Sequence, residues 1–100
     1  MTGKQKSFLR GQAHGLQPII QIGKQGVTET VLDTILNALE ARELIKISVL
    51  QNCMAEPKEI ADLIAQQTNA QIVQVIGRVI IAYKKSSKPT HRTMTNKIPR

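Results

Sequence analysis

The segment whose residue types and spacing first suggest chemistry is a short loop with a glycine at each end: Gly23, Lys24, Gln25 and Gly26. Glycines let the backbone turn tightly and approach a ligand closely, and Lys24 adds a positive charge at the apex. An apolar run at residues 18–22 precedes the loop, and a helix predicted to begin near Thr28 follows it. Backbone amides at a helix N-terminus attract anions. The pattern therefore predicts a phosphate-contacting loop, with a purely structural strand-to-helix turn as the alternative.

Charge is segregated along the chain. All seven acidic residues lie between positions 29 and 62, and the segment they define has a net charge of −4, whereas residues 1–28 carry +4 and residues 63–100 carry +7. Such a protein presents an attractive and a repulsive surface to a polyanion, which favours oriented binding. Nucleic acid is the natural partner of a chain with a pI near 10.0. The alternative is a merely basic protein with a disordered tail.

Length and composition limit the possible functions. One hundred residues make one small domain, which is too small to enclose a cofactor cavity, so we expect no cofactor and no small-molecule substrate. The apolar runs are far shorter than the ~20 residues of a membrane span. Phe8 and Leu9 are followed at once by Arg10, so no signal-peptide core is expected and we predict a cytoplasmic protein. The single cysteine and two histidines predict neither a disulfide nor a metal site.

Three helical patterns alternate with strand-like runs. Thr2 and Thr28 are candidate N-caps of the first two helices, and Gly15 is a candidate C-cap of the first. Gly77-Arg78 is typical of a type II′ hairpin turn between two antiparallel strands. The predicted helices lie at about 3–15, 28–42 and 56–67, and the strands at about 18–22, 44–50, 71–76 and 79–83. The order α-β-α-β-α-β-β predicts an α/β chain of the two-layer α+β type with a small mixed sheet of four strands.

The predicted elements position further basic residues near the loop. Lys6, Arg10 and His14 stack at i, i+4 and i+8 on one side of the first helix, opposite its apolar side. Lys46 points outward from the second strand, because apolar residues alternate with it there. Arg78 and Lys84 are further candidates at the rim of the sheet. Each of these charges has a simpler interpretation as a solvated surface residue.

The chain changes character after Tyr83. Residues 84–100 contain few apolar residues and no acid, so we predict a folded domain over residues 1–85 and a basic, flexible tail over residues 86–100. Phe8 and Tyr83 are the only aromatic residues, and both are expected to be structural. Without an aromatic platform for bases, recognition of phosphate, sugar and shape is expected.

Several segments together resemble a known family: Leu9-Arg10, Ala13-His14, residues 18–28, residues 39–46, residues 73–78 and Tyr83-Lys84. They look like the YhbY-like RNA-binding proteins, the stand-alone bacterial form of the CRM domain, named for chloroplast RNA splicing and ribosome maturation. The resemblance covers about residues 2–84 in order and spacing. It implies a fold similar to the C-terminal domain of translation initiation factor three, a G-x-x-G loop that contacts RNA, and association with precursors of the large ribosomal subunit. The segment from Lys88 to Arg100 lies outside the common core of the family.

These observations favour a non-catalytic, RNA-binding ribosome assembly factor whose partner is ribosomal RNA. The residues expected to contact RNA are Gly23, Lys24, Gln25, Gly26, Lys6, Arg10, His14, Lys46, Arg78 and Lys84. One alternative is an enzyme acting on a phosphorylated substrate, but the loop lacks the lysine-hydroxyl pair of a P-loop. Another is a protein or membrane adaptor whose acidic middle docks a basic partner while the basic tail binds anionic lipid.

Overall fold

A four-stranded sheet with helices on both faces forms the frame of the molecule in a computed structural model, which describes residues 1–99. The elements follow the predicted order: α1 Gly3–Ala13, β1 Pro18–Ile22, α2 Glu29–Arg42, β2 Leu44–Val49, α3 Pro57–Thr68, β3 Gln71–Ile76 and β4 Val79–Tyr83. Two short 3-10 helices, Pro89–His91 and Thr95–Lys97, follow β4. The predicted α-β-α-β-α-β-β class with a mixed sheet is confirmed.

The predicted helix starts are confirmed by their caps. Thr2 forms a capping box with Gln5, in which the Thr2 hydroxyl accepts a hydrogen bond from the backbone amide of Gln5 at 3.1 Å. The Thr28 hydroxyl accepts from the Val31 amide at 3.2 Å at the start of α2. The predicted end of α1 is wrong, because its C-cap is His14, in the right-handed helical region, and not Gly15.

The sheet has the strand order β1-β2-β4-β3. β1 and β2 are parallel, whereas β4 pairs antiparallel with both β2 and β3. Gly77 has a φ of +56° and Arg78 has no positive φ, as a tight hairpin with glycine first requires. The carboxyl ends of β1 and β2 and the β3–β4 hairpin therefore lie at one end of the sheet.

Each face of the sheet carries an apolar cluster. The larger one packs α2 and α3 against one face, with Ile35, Ile47, Ile64 and Ile80 fully buried. A smaller one lies on the opposite face under α1, and its buried members are Leu9, Ala13, Leu44, Val73, Ile81 and Tyr83. This second cluster adds to the two-layer arrangement that the sequence predicts. The smaller cluster forms because β4 has apolar residues at successive positions. Both faces of this strand must therefore be covered by other parts of the chain.

The C-terminal segment, defined here as residues 84–99, folds back onto the α1 face of the sheet. Met94 and Ile98 pack against the smaller cluster, and the Tyr83 hydroxyl lies 2.6 Å from the Thr95 hydroxyl. This packing differs from the disordered tail that the sequence predicts. The division of the chain at residue 85 stays a prediction, and Arg100 lies outside the described residues.

Glu43 is the physical reason for the difference. It directly follows α2 with a φ of +66°, and its side chain is fully buried. Its carboxylate accepts hydrogen bonds from the amides of Ser86 at 2.8 Å, Met94 at 3.1 Å and Thr95 at 2.9 Å, and from the Thr95 hydroxyl. One turn earlier, Glu40 accepts from Ser86 and Ser87. The segment is thus held by side chain to backbone bonds that apolar periodicity does not reveal.

Two features are absent from residues 1–99. No helix there combines the length and the apolar character needed to cross a membrane. Nor does that part of the chain gather three or more His, Cys, Asp or Glu side chains in an arrangement able to hold a metal ion.

Candidate nucleic-acid interface

The glycine loop, Gly23–Gly26, connects the buried end of β1 to the start of α2. The Gly26 amide donates to the Gly23 carbonyl at 2.9 Å and closes a tight turn. This turn leaves Lys24 and Gln25 exposed at its tip. The positive charge therefore projects from the molecule at the N-terminal end of a 14-residue helix.

Only one of the two glycines is required by the backbone. Gly26 has a φ of +68°, in the left-handed region that favours glycine, although an added Cβ would meet nothing within 4 Å. Gly23 has no positive φ, and a Cβ there would lie 3.4 Å from Asn52 Oδ1 and 3.6 Å from Leu50 Cδ1, which is ordinary contact. The predicted need for glycine thus holds for the backbone conformation of Gly26 alone.

The start of α2 adds hydrogen-bond donors beside the loop. Thr28 caps the helix through the Val31 amide, and the first backbone bond of the helix runs from the Leu32 amide to the Thr28 carbonyl at 2.9 Å. The amides of Glu29 and Thr30 precede that bond and belong to the unpaired first turn of the helix. Together with the positive end of the helix dipole, they favour an anion near the loop. The Glu29 carboxylate lies in the same turn and also benefits from that dipole.

Arg78 joins the β3–β4 hairpin to the end of the sheet where the loop lies. Its Nε donates to the Val49 carbonyl and its Nη2 to the Leu50 carbonyl, both at 2.8 Å. The Leu50 amide in turn donates to the Ile22 carbonyl at 2.8 Å, next to Gly23. Arg78 therefore has a structural role in addition to the charge it brings to this end of the sheet.

A groove on the α1 face of the sheet brings three further candidates together. It has a volume of about 310 Å³, and we call it the sheet groove; its lining residues are Arg10, His14, Lys46, Gln74, Ile76, Val79 and Ile81. The described residues that line it include no acid. Lys6 lies two turns before His14 on α1, is half-buried and is not among the lining residues. The predicted basic stripe is therefore divided, with its C-terminal part facing the groove.

Lys84 lies at the other end of the sheet. Its amide donates to the Glu43 carbonyl at 2.9 Å, and the preceding residue, Tyr83, pairs with Leu44 at the start of β2. Val49 lies five positions after Leu44 along β2, which corresponds to roughly 17 Å. The structure thus does not bring Lys84 together with the glycine loop.

The sequence reasoning missed two groups of residues. Gln74, Ile76 and Val79 were assigned to strands without a role, although they line the sheet groove. Their alternation with inward residues on β3 and β4 is the signal that places them on one face. Glu40 and Glu43 were counted only as part of the acidic middle. Their contacts with the C-terminal segment have no sequence signal, because the partners are more than 40 residues away.

Comparison with known families identifies this arrangement. The model of the CRS1 / YhbY (CRM) domain matches residues 1–84, from α1 to the end of β4. The chain belongs to the CRM domain family. The matched residues include the glycine loop, the sheet groove and Arg78, whereas nearly all of the C-terminal segment lies beyond the match.

Relatives of similar length match the chain over most of its residues. A protein of Bacillus subtilis (strain 168) named "Probable RNA-binding protein YqeI" is 50% identical over 88 residues, which cover 88% of this chain and 92% of the relative. A Haemophilus influenzae protein named "RNA-binding protein" is 40% identical over 88 residues and covers 88% of this chain and 89% of its own. The solution structure of the Staphylococcus aureus protein SAV1595 is 42% identical, with a TM-score of 0.78 and 99% of each chain covered.

Proposed function

We propose that this protein binds RNA through the sugar-phosphate backbone and that the glycine loop is the centre of the contact. The observation that carries the proposal is the exposed Lys24 at the N-terminus of α2, close to Gly26 with its left-handed backbone conformation. Two relatives of the chain are named RNA-binding proteins. Phosphate contacts position a protein on RNA without reading its sequence. This mode suits a chain with only two aromatic residues.

In this mechanism the loop and α2 act together. Lys24 neutralises one phosphate while the amides of Glu29 and Thr30 donate to its oxygens, much as the G-x-x-G loop of a KH domain clamps a short run of nucleotides. Gly26 lets the backbone turn sharply enough for the lysine and the amides to point the same way. Arg78 fixes the neighbouring β3–β4 hairpin. The RNA strand can therefore continue along the α1 face of the sheet toward Arg10 and His14. Lys6, Gln25, Lys46 and Lys84 are peripheral contacts in this proposal.

We further propose that the RNA is ribosomal RNA in a precursor of the large ribosomal subunit, and that the protein acts in the cytoplasm as a non-catalytic assembly factor. The resemblance of residues 2–84 to the YhbY-like proteins supports this choice. A structured ribosomal RNA also offers the dense phosphate surface that a backbone-binding protein with a net charge of +7 requires.

The adaptor alternative is weakened by the contacts of the acidic residues. Glu40 and Glu43, which were candidates for docking a basic partner, already accept hydrogen bonds from Ser86, Ser87 and Thr95 of the same chain. A phosphate-directed enzyme gains no support either, since the loop side chains are one lysine and one glutamine. No second function is proposed.

Cross-linking in cells, followed by sequencing of the attached RNA, tests the proposal. We expect peaks in ribosomal RNA of the large subunit and a sedimentation profile that follows precursor particles. Lys24→Ala should lower the yield of cross-links across all peaks, and Lys58→Ala, which removes an exposed lysine from α3, is the matched control. Enrichment on messenger or transfer RNA would overturn the ribosomal assignment. Vesicle binding that survives nuclease treatment, without co-purifying RNA, would overturn RNA binding itself.

A further inference from the structure

The sheet groove combines features that the backbone-binding mode does not use. Its floor is aliphatic, with Ile81 almost fully buried at the base and Ile76 at 55% exposure near the hairpin. Two cationic side chains, Arg10 and Lys46, and the imidazole of His14 stand around this floor. Exposed aliphatic side chains offer a phosphate neither a positive charge nor a hydrogen-bond donor, so phosphate contacts do not account for this floor.

The groove also contains a polar side chain that is able to form specific hydrogen bonds with a ligand. The Gln74 side chain offers two N–H donors and one carbonyl acceptor, and it is half-buried beside the floor. The volume of about 310 Å³ is at the lower end of the range of small-molecule sites, about 300–1,000 Å³. One nucleotide, with a flat base, a ribose and a phosphate, fits these dimensions and this chemistry.

We propose that the sheet groove receives one unpaired nucleotide of the bound RNA. The base lies against Ile76, Val79 and Ile81, Gln74 donates to and accepts from its edge, and Arg10 and Lys46 contact the flanking phosphates. Aliphatic contact replaces the aromatic stacking that this chain lacks, since a base also has an apolar face whose burial is favourable. The inference rests on the proposed function and assigns the specificity of RNA binding to this unpaired nucleotide.

Continuity with the glycine loop supports RNA as the occupant. Ile76 and Val79 pair across the hairpin whose turn contains Arg78, and Arg78 is bonded to Leu50, whose side chain lies beside Gly23. The groove and the loop therefore lie at the same end of the sheet, and one strand can run from one to the other. The absence of acid from the described lining residues makes the groove itself favourable for a polyanion.

The test compares two RNA hairpins that differ only in one base. Both carry a one-nucleotide bulge, an adenosine in the first and an abasic ribose phosphate in the second, so the number of phosphates is equal. The parent protein should bind the adenosine hairpin about fivefold more tightly, the effect of burying roughly 40 Å² of apolar surface. Ile76→Ser should remove most of this preference, and Gln74→Ala, which leaves the aliphatic floor in place, should lower it. Both variants should leave the affinity for the abasic hairpin within twofold of the parent.

Leu63→Ser is the matched control, because Leu63 is an aliphatic residue at 37% exposure on α3, on the other face of the sheet. It should keep the fivefold preference. Equal binding of the two hairpins by the parent, or an unchanged preference in both groove variants, would overturn the inference and leave the proposed function intact. A parent protein that binds neither hairpin at low salt would instead overturn the proposed function.

Discussion

The two ends of α2 differ in what their charges do. At the N-terminal end, the glycine loop is closed by a single backbone bond between Gly26 and Gly23, and Lys24 is exposed beyond it. At the C-terminal end, the carboxylates of Glu40 and Glu43 bind the backbone and hydroxyl groups of the C-terminal segment. One end leaves its charge available to a partner, and the other uses its charges within the fold.

This difference shows why a linear charge map is incomplete. The map treats the region around Lys24 and the basic C-terminus as equivalent arms beside an acidic middle. In the structure, Glu40 and Glu43 from that middle hold the C-terminal segment. Arg92 within this segment donates to the Ser86 carbonyl at 2.8 Å. The glycine loop has no comparable acidic partner in the described chain. We therefore expect the loop to govern RNA binding and the carboxylates to govern stability.

The largest expected effect is the loss of stability in Glu43→Ala. A fully buried carboxylate that accepts four hydrogen bonds is lost, and the donors on Ser86, Met94 and Thr95 must then be hydrated. Because hydration of these donors offsets part of the loss, the free energy of unfolding should fall by about 3 kcal/mol rather than by the sum of four bonds. Urea unfolding measures this change.

Glu56→Ala is the control for that experiment. Glu56 is exposed and makes no side-chain cap bond at the start of α3, so its removal should change the free energy of unfolding by less than about 0.5 kcal/mol. If Glu43→Ala were as stable as Glu56→Ala, the C-terminal segment would not be anchored by this carboxylate, and the two ends of α2 would not differ as described.

Acid should release the C-terminal segment. Hydrogen bonds from the hydroxyls of Ser87 and Ser86 lower the pKa of Glu40 from 4.5 to about 2. Burial acts to raise the pKa of Glu43, but hydrogen bonds from Thr95, Ser86 and Met94 outweigh it and the pKa is lowered. The folded chain thus binds fewer protons than the unfolded chain, so the stabilisation is complete above pH 4.5 and is lost as the pH falls toward 2.

Tyr83, the single tyrosine, reports this release because its hydroxyl contacts Thr95. Its fluorescence should change between pH 4.5 and 2 in the parent. The double variant Glu40→Gln/Glu43→Gln should show no transition in this window. A parent signal that is flat there, with the fold retained, would mean that the carboxylates do not hold the segment.

A smaller effect is expected at the loop itself. Gly26→Ala places a Cβ on a backbone with a φ of +68°, which costs about 1–2 kcal/mol of stability, whereas Gly23→Ala meets only ordinary contacts. Thermal unfolding of the two variants should therefore separate them. Equal destabilisation would show that the turn depends on both glycines and that Gly26 has no special backbone role.

The sequence predicts the frame of the site well and its surroundings less well. Local signals such as the Thr28 cap and Gly77 identify where the elements begin and turn, and these are confirmed. The left-handed φ of Glu43 and its bonds to residues more than 40 positions away depend on tertiary packing. The same is true of the sheet groove, because strand order places Lys46 and Gln74 on either side of Ile81 and no sequence spacing indicates it.

The salt dependence of RNA binding by Lys24→Ala tests the central claim most directly. If the loop contacts phosphate, this variant should bind every RNA more weakly and lower the slope of log K against log salt by roughly one unit. Its free energy of unfolding should stay within about 0.5 kcal/mol of the parent, because the side chain is exposed. Lys58→Ala should leave the slope unchanged. A Lys24→Ala protein with the parent's affinity and slope would contradict the account and show that the loop is only a turn.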